Sequence, residues 1–245
     1  MECTETLWHG FTCMEFIFDN SPAKVVKPNV TPNGKWALKT EYFDAFPSTE
    51  LELLNRGWHI AFQKNDNRWA GERDLARKAE FVRFVGKNFN LEEKCTMVGM
   101  SCGGMYAVLL AARIPSLTDV LYLDAPVLNL LSCPCDMGIA QSGLYEEFYS
   151  RTNLTKSDML SYRKHPIDYL SVLTDNNIPV VLVAGDSDTV VPYVENGAVL
   201  ADFYSKHGGV ISVHIKEGCN HHPHGLENYV LIADEIEQMS KGRKN

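Results

Sequence analysis

The segment 99–104 (GMSCGG) lies between an apolar run that ends at Val98 and a run of small residues over 105–112. A buried strand can lead directly into a helix only through a sharp turn, and glycines beside the turn let neighbouring backbones approach closely. The central Ser101 is then held in a strained backbone conformation, with its hydroxyl above the end of the sheet. This pattern predicts a strand–turn–helix unit that presents a nucleophilic serine.

The same turn predicts a site for a developing negative charge. The peptide N–H of Cys102 stands at the helix N-terminus, where the helix dipole favours an oxyanion. A second N–H is expected from the loop after a strand at 36–40, near Glu41 or Tyr42. Cys102 is also an alternative nucleophile, but its place after Ser101 directs its side chain toward the helix.

Strand and helix patterns alternate along most of the chain, after an antiparallel start within the first 35 residues. The predicted strands cover 14–18, 23–26, 36–40, 58–62, 95–98, 120–123, 180–184 and 210–215. The predicted helices cover 47–56, about 75–89, 102–113, 196–207 and 227–239. Such alternation predicts an α/β fold, a mostly parallel sheet with helices on both faces. The length of 245 residues suits one domain, 1–245.

One interval breaks this alternation. No strand pattern is present between Asp124 and Ile178, although aromatic residues and polar turns occur, as at 144–149. We therefore predict that residues 125–177 form a helical insertion over the sheet edge, after the sixth predicted strand. A packing subdomain and an active-site lid are both compatible with this composition.

A serine hydroxyl needs a histidine to accept its proton, and the histidine needs a carboxylate to fix its tautomer. The segment 185–192 (GDSDTVVP) follows the buried strand at 180–184, and such loops at the carboxyl ends of strands carry ligand-facing groups. Asp188 is the predicted acid and Asp186 the alternative. Either aspartate could instead cap its own turn.

The segment 218–225 (GCNHHPHG) contains three histidines in four positions. His221 is the predicted base because of its spacing from Gly218 and because the expected chain order is serine, acid, histidine. His222 is expected near the substrate, and His224 is an alternative base. Both also fit hydrogen-bonded loop histidines beside the site.

A metal site is the rival interpretation of this segment, since imidazoles and the Cys219 thiolate bind zinc readily. Against it, Pro223 stiffens the loop, and no carboxylate or second histidine pair stands at ligand spacing. The pair in 133–135 (CPC) is too close for the usual zinc pair. No metal is predicted.

Four segments together resemble a known group of proteins. They are 99–104 (GMSCGG), 124–126 (DAP), 185–192 (GDSDTVVP) and 221–225 (HHPHG). They are similar to bacterial α/β-hydrolases of the carboxylesterase and prolyl-oligopeptidase-like group, and more narrowly to esterases found beside polysaccharide-degrading enzymes. The similarity runs from Trp8 to the final helix.

This resemblance implies an eight-stranded sheet, the triad Ser101–Asp188–His221 and a preference for ester over peptide substrates. In this group the residue after the nucleophile is frequently arginine, whereas here it is Cys102. Because this position borders the substrate pocket, the difference affects the expected specificity for sugar esters. Trp69, just past the strand at 58–62, is expected to line that pocket.

The predicted reaction is hydrolysis of a carboxylic ester, such as an acyl or acetyl ester of a sugar, through an acyl-serine intermediate without a cofactor. The alternatives are a serine peptidase or acyltransferase that uses the same triad, and a hydrolase-fold protein that only binds a ligand.

Charge and cysteine content restrict the partners. The net charge of −8, with scattered basic residues, argues against nucleic acid. The one basic run, Lys241, Arg243 and Lys244, fits a solvated tail. No apolar run reaches the length of a membrane span, and the N-terminus shows no secretion signal. Seven cysteines without a paired framework favour free thiols and a cytoplasmic location.

Overall fold

The computed structural model describes residues 2–242, which form nine strands and eight α-helices. The strands are β1 (Cys3–Trp8), β2 (Phe11–Phe18), β3 (Ser21–Val26), β4 (Trp36–Lys39), β5 (His59–Gln63), β6 (Cys95–Met100), β7 (Thr118–Asp124), β8 (Val180–Gly185) and β9 (Ile211–Lys216). The helices are α1 (Ser48–Asn55), α2 (Glu72–Asn88), α3 (Cys102–Arg113), α4 (Tyr145–Thr152), α5 (Lys156–Ser161), α6 (Leu170–Asp175), α7 (Gly197–Lys206) and α8 (Tyr229–Lys241). Arg243 and Lys244 of the predicted tail lie outside the described residues. Of the helices in 2–242, none combines the length and apolar character that a bilayer span requires.

All of these strands belong to one sheet, in the order β1-β2-β3-β5-β4-β6-β7-β8-β9. The first three strands pair antiparallel, and β3 joins β5 antiparallel. Every pairing from β5 through β4 to β9 is parallel. The predicted α/β class with a mostly parallel sheet is therefore confirmed.

The count of eight strands misses β1 at the sheet edge. Four of its six residues are exposed, so the strand lacks the apolar alternation that marks a half-buried strand. The link to β2 is a two-residue hairpin in which His9 (φ 47°) and Gly10 (φ 84°) both adopt left-handed conformations. The sequence of β1 therefore contains no strand-like hydrophobic pattern by which it could have been predicted.

The sheet separates two hydrophobic clusters, one on each face. Successive strand residues alternate between them, so Met97 of β6 packs with α2 and α3, whereas Val98 packs with α1 and α8. The α2 residues at helical spacing, such as Leu75 and Val82, belong to the first cluster. Helices cover both faces, as the sequence predicts, and leave the carboxyl ends of the parallel strands free for the connecting loops.

Residues 125–179 contain α4, α5 and α6 and no strand. Phe148 and Met159 from this interval are buried in the core. Ser142 and Leu144 reach a cavity at the carboxyl ends of the strands. The interval predicted as a helical insertion thus packs on the core and also borders this cavity.

Candidate active site

Ser101 occupies the turn between β6 and α3 with φ 53° and ψ −124°, a conformation that is rare for residues other than glycine. Its N–H donates to the Asp124 carbonyl at 2.9 Å. Its own carbonyl accepts from the N–H groups of Gly104 (2.9 Å) and Val127 (3.0 Å). These bonds anchor the strained turn to the end of β7 and hold the serine in place.

The glycines of the turn differ in how closely they are packed. A Cβ at Gly104 would lie 2.3 Å from Pro126 Cβ and 2.7 Å from its Cα. At Gly99 it would lie 2.5 Å from the Gly103 carbonyl oxygen. At Gly103 the nearest atoms are side-chain atoms at 3.2 Å. The close backbone approach inferred from the sequence is therefore tightest at 99 and 104.

We expect Gly104→Ala to lower the free energy of unfolding by about 3 kcal/mol, because the new methyl group meets the rigid Pro126. Thermal unfolding followed by circular dichroism would show a Tm loss of roughly 6–12 °C. Gly103→Ala is the matched control in the same helix turn and should lose less than half as much. Equal losses in the two variants would contradict the packing described here.

The structure brings Ser101, His221 and Asp188 together from three separate loops. The Ser101 hydroxyl lies 3.0 Å from His221 Nε2, and His221 Nδ1 lies 2.7 Å from Asp188 Oδ2. Asp188 Oδ1 accepts the backbone N–H groups of Val190 and Val191, each at 2.8 Å. With its second oxygen held this way, the carboxylate faces the imidazole. Nδ1–H donates to it, so Nε2 presents a lone pair to the serine.

Contacts between the two loops fix this geometry. Asp186, the alternative acid, is exposed, and its carboxylate accepts the Gly218 N–H at 2.8 Å. It therefore links the two loops and does not contact the imidazole. The Asn220 side-chain oxygen accepts the N–H groups of Thr189 (3.0 Å) and His221 (2.7 Å). The loop that carries the acid and the loop that carries the base are thereby held in register.

A second histidine–aspartate pair lies beside the first and was not predicted from the sequence. His224 Nδ1 lies 2.8 Å from Asp124 Oδ1, and the Gly225 N–H donates to the other carboxylate oxygen. Both side chains are buried. The sequence signal that could have indicated this pair is Asp124 itself, because it stands at the carboxyl end of β7, where α/β sheets place functional groups.

Ser101 and His221 line a cavity of about 330 Å³. Much of its wall is apolar, with Phe46, Leu144 and Val190 among the lining residues. The predicted substrate-side residue His222 also lines it and stacks on Phe46, with ring centroids 5.9 Å apart. Partial burial, together with the neighbouring His224, lowers the pKa of His222, which favours its neutral form.

Trp69 does not line this cavity among the described residues, so the prediction for it is corrected. It is buried, its indole N–H donates to Glu147 at 3.2 Å, and it packs edge-on against Phe148. The neighbouring Arg68 lines the cavity instead and forms a two-pronged ion pair with Glu147. Trp69 packs within the fold because residues 147 and 148 of the interval 125–177 contact its ring.

Of the predicted oxyanion donors, Cys102 directly follows Ser101 and Tyr42 lines the same cavity. Cys102 is the first residue of α3, where a backbone N–H has no acceptor within the helix. Tyr42 lines the cavity, and its N–H donates to the Glu41 carboxylate over a long 3.3 Å. The other Glu41 oxygen accepts from Asn65 at 2.6 Å. Because a carboxylate donates no hydrogen bond, Glu41 would contribute only its backbone N–H to an oxyanion. The second donor, near 41 or 42, stays a prediction.

We expect Cys102 to react with iodoacetamide at pH 8 at less than one tenth of the rate of Cys3 or Cys219. Its side chain is 1% exposed, and burial raises the pKa of its thiol to about 11, so little thiolate forms. The two reference thiols are partly exposed. Peptide mapping by mass spectrometry gives the rates, and equally fast labelling at 102 would revive the thiol as a nucleophile.

The mostly parallel sheet covered by helices on both faces, with the serine turn between β6 and α3, is the architecture of the α/β-hydrolases. The prolyl oligopeptidase family matches residues 56–239, well over half of the chain, and the chain belongs to this family. The resemblance to α/β-hydrolases of the prolyl-oligopeptidase-like group, described from the sequence, is confirmed.

Solved structures show the same fold. A Mycobacterium tuberculosis puromycin-hydrolyzing peptidase aligns with a TM-score of 0.72 at 12% identity over 94% of this chain, which spans only 38% of that protein. A truncated carbohydrate esterase from gut microbiota gives a TM-score of 0.67 at 14% identity, covering 89% and 90% of the two chains. An S-formylglutathione hydrolase from Agrobacterium tumefaciens gives 0.62 at 14% identity, covering 98% and 99%. At such identities these likenesses concern the fold alone.

Proposed function

We propose that the protein hydrolyses a small carboxylic ester, such as an acetyl ester of a sugar, through an acyl-serine intermediate. The observation that carries this proposal is the continuous hydrogen-bonded path from the Ser101 hydroxyl through His221 to Asp188. A hydroxyl with its base at 3.0 Å and a buried carboxylate behind the base is equipped to attack a carbonyl carbon.

In this mechanism Ser101 Oγ forms a bond to the carbonyl carbon while His221 Nε2 accepts the hydroxyl proton. The Asp188 carboxylate stabilises the imidazolium that results, and the carbonyl oxygen becomes an oxyanion held by the Cys102 N–H and a second N–H near Tyr42. His221 then returns the proton to the departing alcohol. Water repeats the sequence on the acyl-enzyme and releases the acid.

The size of the cavity favours a small acyl group. A volume of about 330 Å³ is at the lower end of the range for ligand pockets. Its apolar wall, which includes Leu144 and Val190, suits the carbon chain of a short acyl group. The alcohol portion would extend toward the exposed His222.

The relatives support this choice of substrate only in part. The truncated carbohydrate esterase and the S-formylglutathione hydrolase match over 90% and 99% of their solved chains, which favours an ester or thioester. The family match and the mycobacterial peptidase favour peptide hydrolysis with the same three residues as the second candidate.

A substrate panel separates the candidates. We would compare kcat/KM for acetyl, butyryl and octanoyl p-nitrophenyl esters, acetylated sugars, thioesters and peptide anilides. The proposal expects the short-chain esters to be preferred over the anilides, with activity falling as the acyl chain outgrows the cavity. Preferential anilide cleavage would replace the ester assignment with the peptidase.

A further inference from the structure

The proposed mechanism uses one of three imidazoles that lie together in segment 218–225. The ring centroids of His221, His222 and His224 are each 4.9 Å from the other two. One ligand nitrogen from each ring lies within 4.8 Å of the other two. We propose that these three side chains bind a divalent transition-metal ion of the zinc class, and that the bound ion switches off the serine.

The hydrogen bonds of two of these rings identify the nitrogens that are available to a metal. Nδ1 of His221 is bonded to Asp188 at 2.7 Å, and Nδ1 of His224 to Asp124 at 2.8 Å. In both rings Nε2 is therefore the nitrogen with a lone pair to offer. A carboxylate on the far nitrogen is the usual support of a metal-binding histidine, because it fixes the tautomer and raises ligand basicity.

Of these two carboxylates, only Asp188 was predicted from the sequence to face a histidine of this segment. Asp124 lies about a hundred positions from its histidine partner, and no carboxylate stands at ligand spacing within the segment itself. The fold supplies two of them, one behind each buried imidazole, with the Asp188 and Asp124 side chains only 1% and 3% exposed. Two buried negative charges offset the two positive charges of the ion.

Nearby cations are already engaged. The Arg68 guanidinium on the cavity wall is paired with Glu147, so its charge is compensated. The Lys216 ammonium donates to the Pro223 carbonyl between the second and third histidines, which anchors the loop that carries them.

Closing the site requires only a small movement. Tetrahedral zinc with nitrogen ligands at about 2.0–2.1 Å needs nitrogens roughly 3.4 Å apart. The ligand nitrogens here lie within 4.8 Å of one another. The exposed His222, which stacks on Phe46, is the ring that would rotate inward. A water molecule would fill the fourth position.

Metal binding would stop catalysis for a simple chemical reason. The Nε2 lone pair of His221 that accepts the Ser101 proton would be donated to the ion, so the hydroxyl keeps its proton and remains a weak nucleophile. This inhibitory consequence rests on the proposed function, whereas metal binding itself does not.

The test combines calorimetric titration of the untagged full chain with ZnCl2 and assays of p-nitrophenyl acetate hydrolysis with ZnCl2 and then EDTA. We expect one zinc ion per chain and reversible inhibition over the same concentration range. His222→Ala and His224→Gln should weaken zinc binding at least ~10-fold, and Asp124→Asn about 10- to 100-fold. His207→Ala changes an exposed histidine at the C-terminal end of α7, outside the cluster, and should bind zinc as the wild type does, and so should Ser101→Ala.

Two results would overturn the inference. One is zinc binding that is absent below about 1 mM or is equal in His222→Ala, His224→Gln and His207→Ala. The other is an active ester hydrolase that binds zinc at this site and keeps its full rate. Zinc binding with the expected variant pattern in a protein that cleaves no ester would support the metal site and reject the proposed function.

Discussion

Ser101→Ala is expected to fold normally and to lose at least ~10³-fold in kcat/KM for p-nitrophenyl acetate. The substitution removes the oxygen that lies 3.0 Å from His221 Nε2 and would form the acyl bond. The residual rate would come from binding and the oxyanion donors. Alanine leaves the backbone bonds of the turn intact, so the Tm measured by circular dichroism should change little.

Ser187→Ala provides the matched control, since this exposed serine stands beside the acid in the same cluster of loops. Among residues 2–242, its hydroxyl bonds only the neighbouring Asp186, at 2.9 Å. Its activity should stay within a few-fold of the wild type. A Ser101→Ala variant that kept near-full activity while this control behaved normally would reject the nucleophile assignment.

Asp188→Asn is expected to lower kcat by roughly 10³- to 10⁴-fold. An amide NH2 facing Nδ1 of His221 would make that nitrogen the acceptor and move the proton to Nε2. The imidazole could then no longer take the Ser101 proton, although the side chains would overlay closely. Steady-state kinetics with an activated ester, together with a thermal melt, would measure the effect.

Asp186→Asn tests whether the loss is specific to position 188. Asp186 is exposed and holds the Gly218 N–H rather than the imidazole, so its amide should preserve most of the activity. If the two variants lost activity equally, the loops rather than the histidine tautomer would be the cause. A larger loss in Asp186→Asn than in Asp188→Asn would make 186 the acid.

Local sequence pattern accounts for the elements that place the site. Helix α3 begins at Cys102 and ends at Arg113 as predicted, because the glycine turn and the run of small apolar residues mark both ends. The convergence of positions 101, 188 and 221 could also be anticipated. Each follows a strand of a parallel sheet, and the carboxyl ends of such strands meet at one edge.

The missed features depend on partners far away in the chain. Trp69 looked like a pocket residue because its partners, Glu147 and Phe148, belong to an insertion with no regular pattern. The bond between Asp124 and His224 spans 100 positions, so neither residue alone indicates the pair. Local periodicity carries no information on such contacts.

The most direct measurement of the central proposal is site mapping of a fluorophosphonate adduct on the wild-type protein. This probe bonds covalently to a serine oxygen that a neighbouring base has activated. We predict one adduct per chain, located at Ser101, absent in Ser101→Ala and formed far more slowly in His221→Ala. No adduct on the folded protein, or an adduct on another serine with Ser101 unmodified, would contradict the proposal.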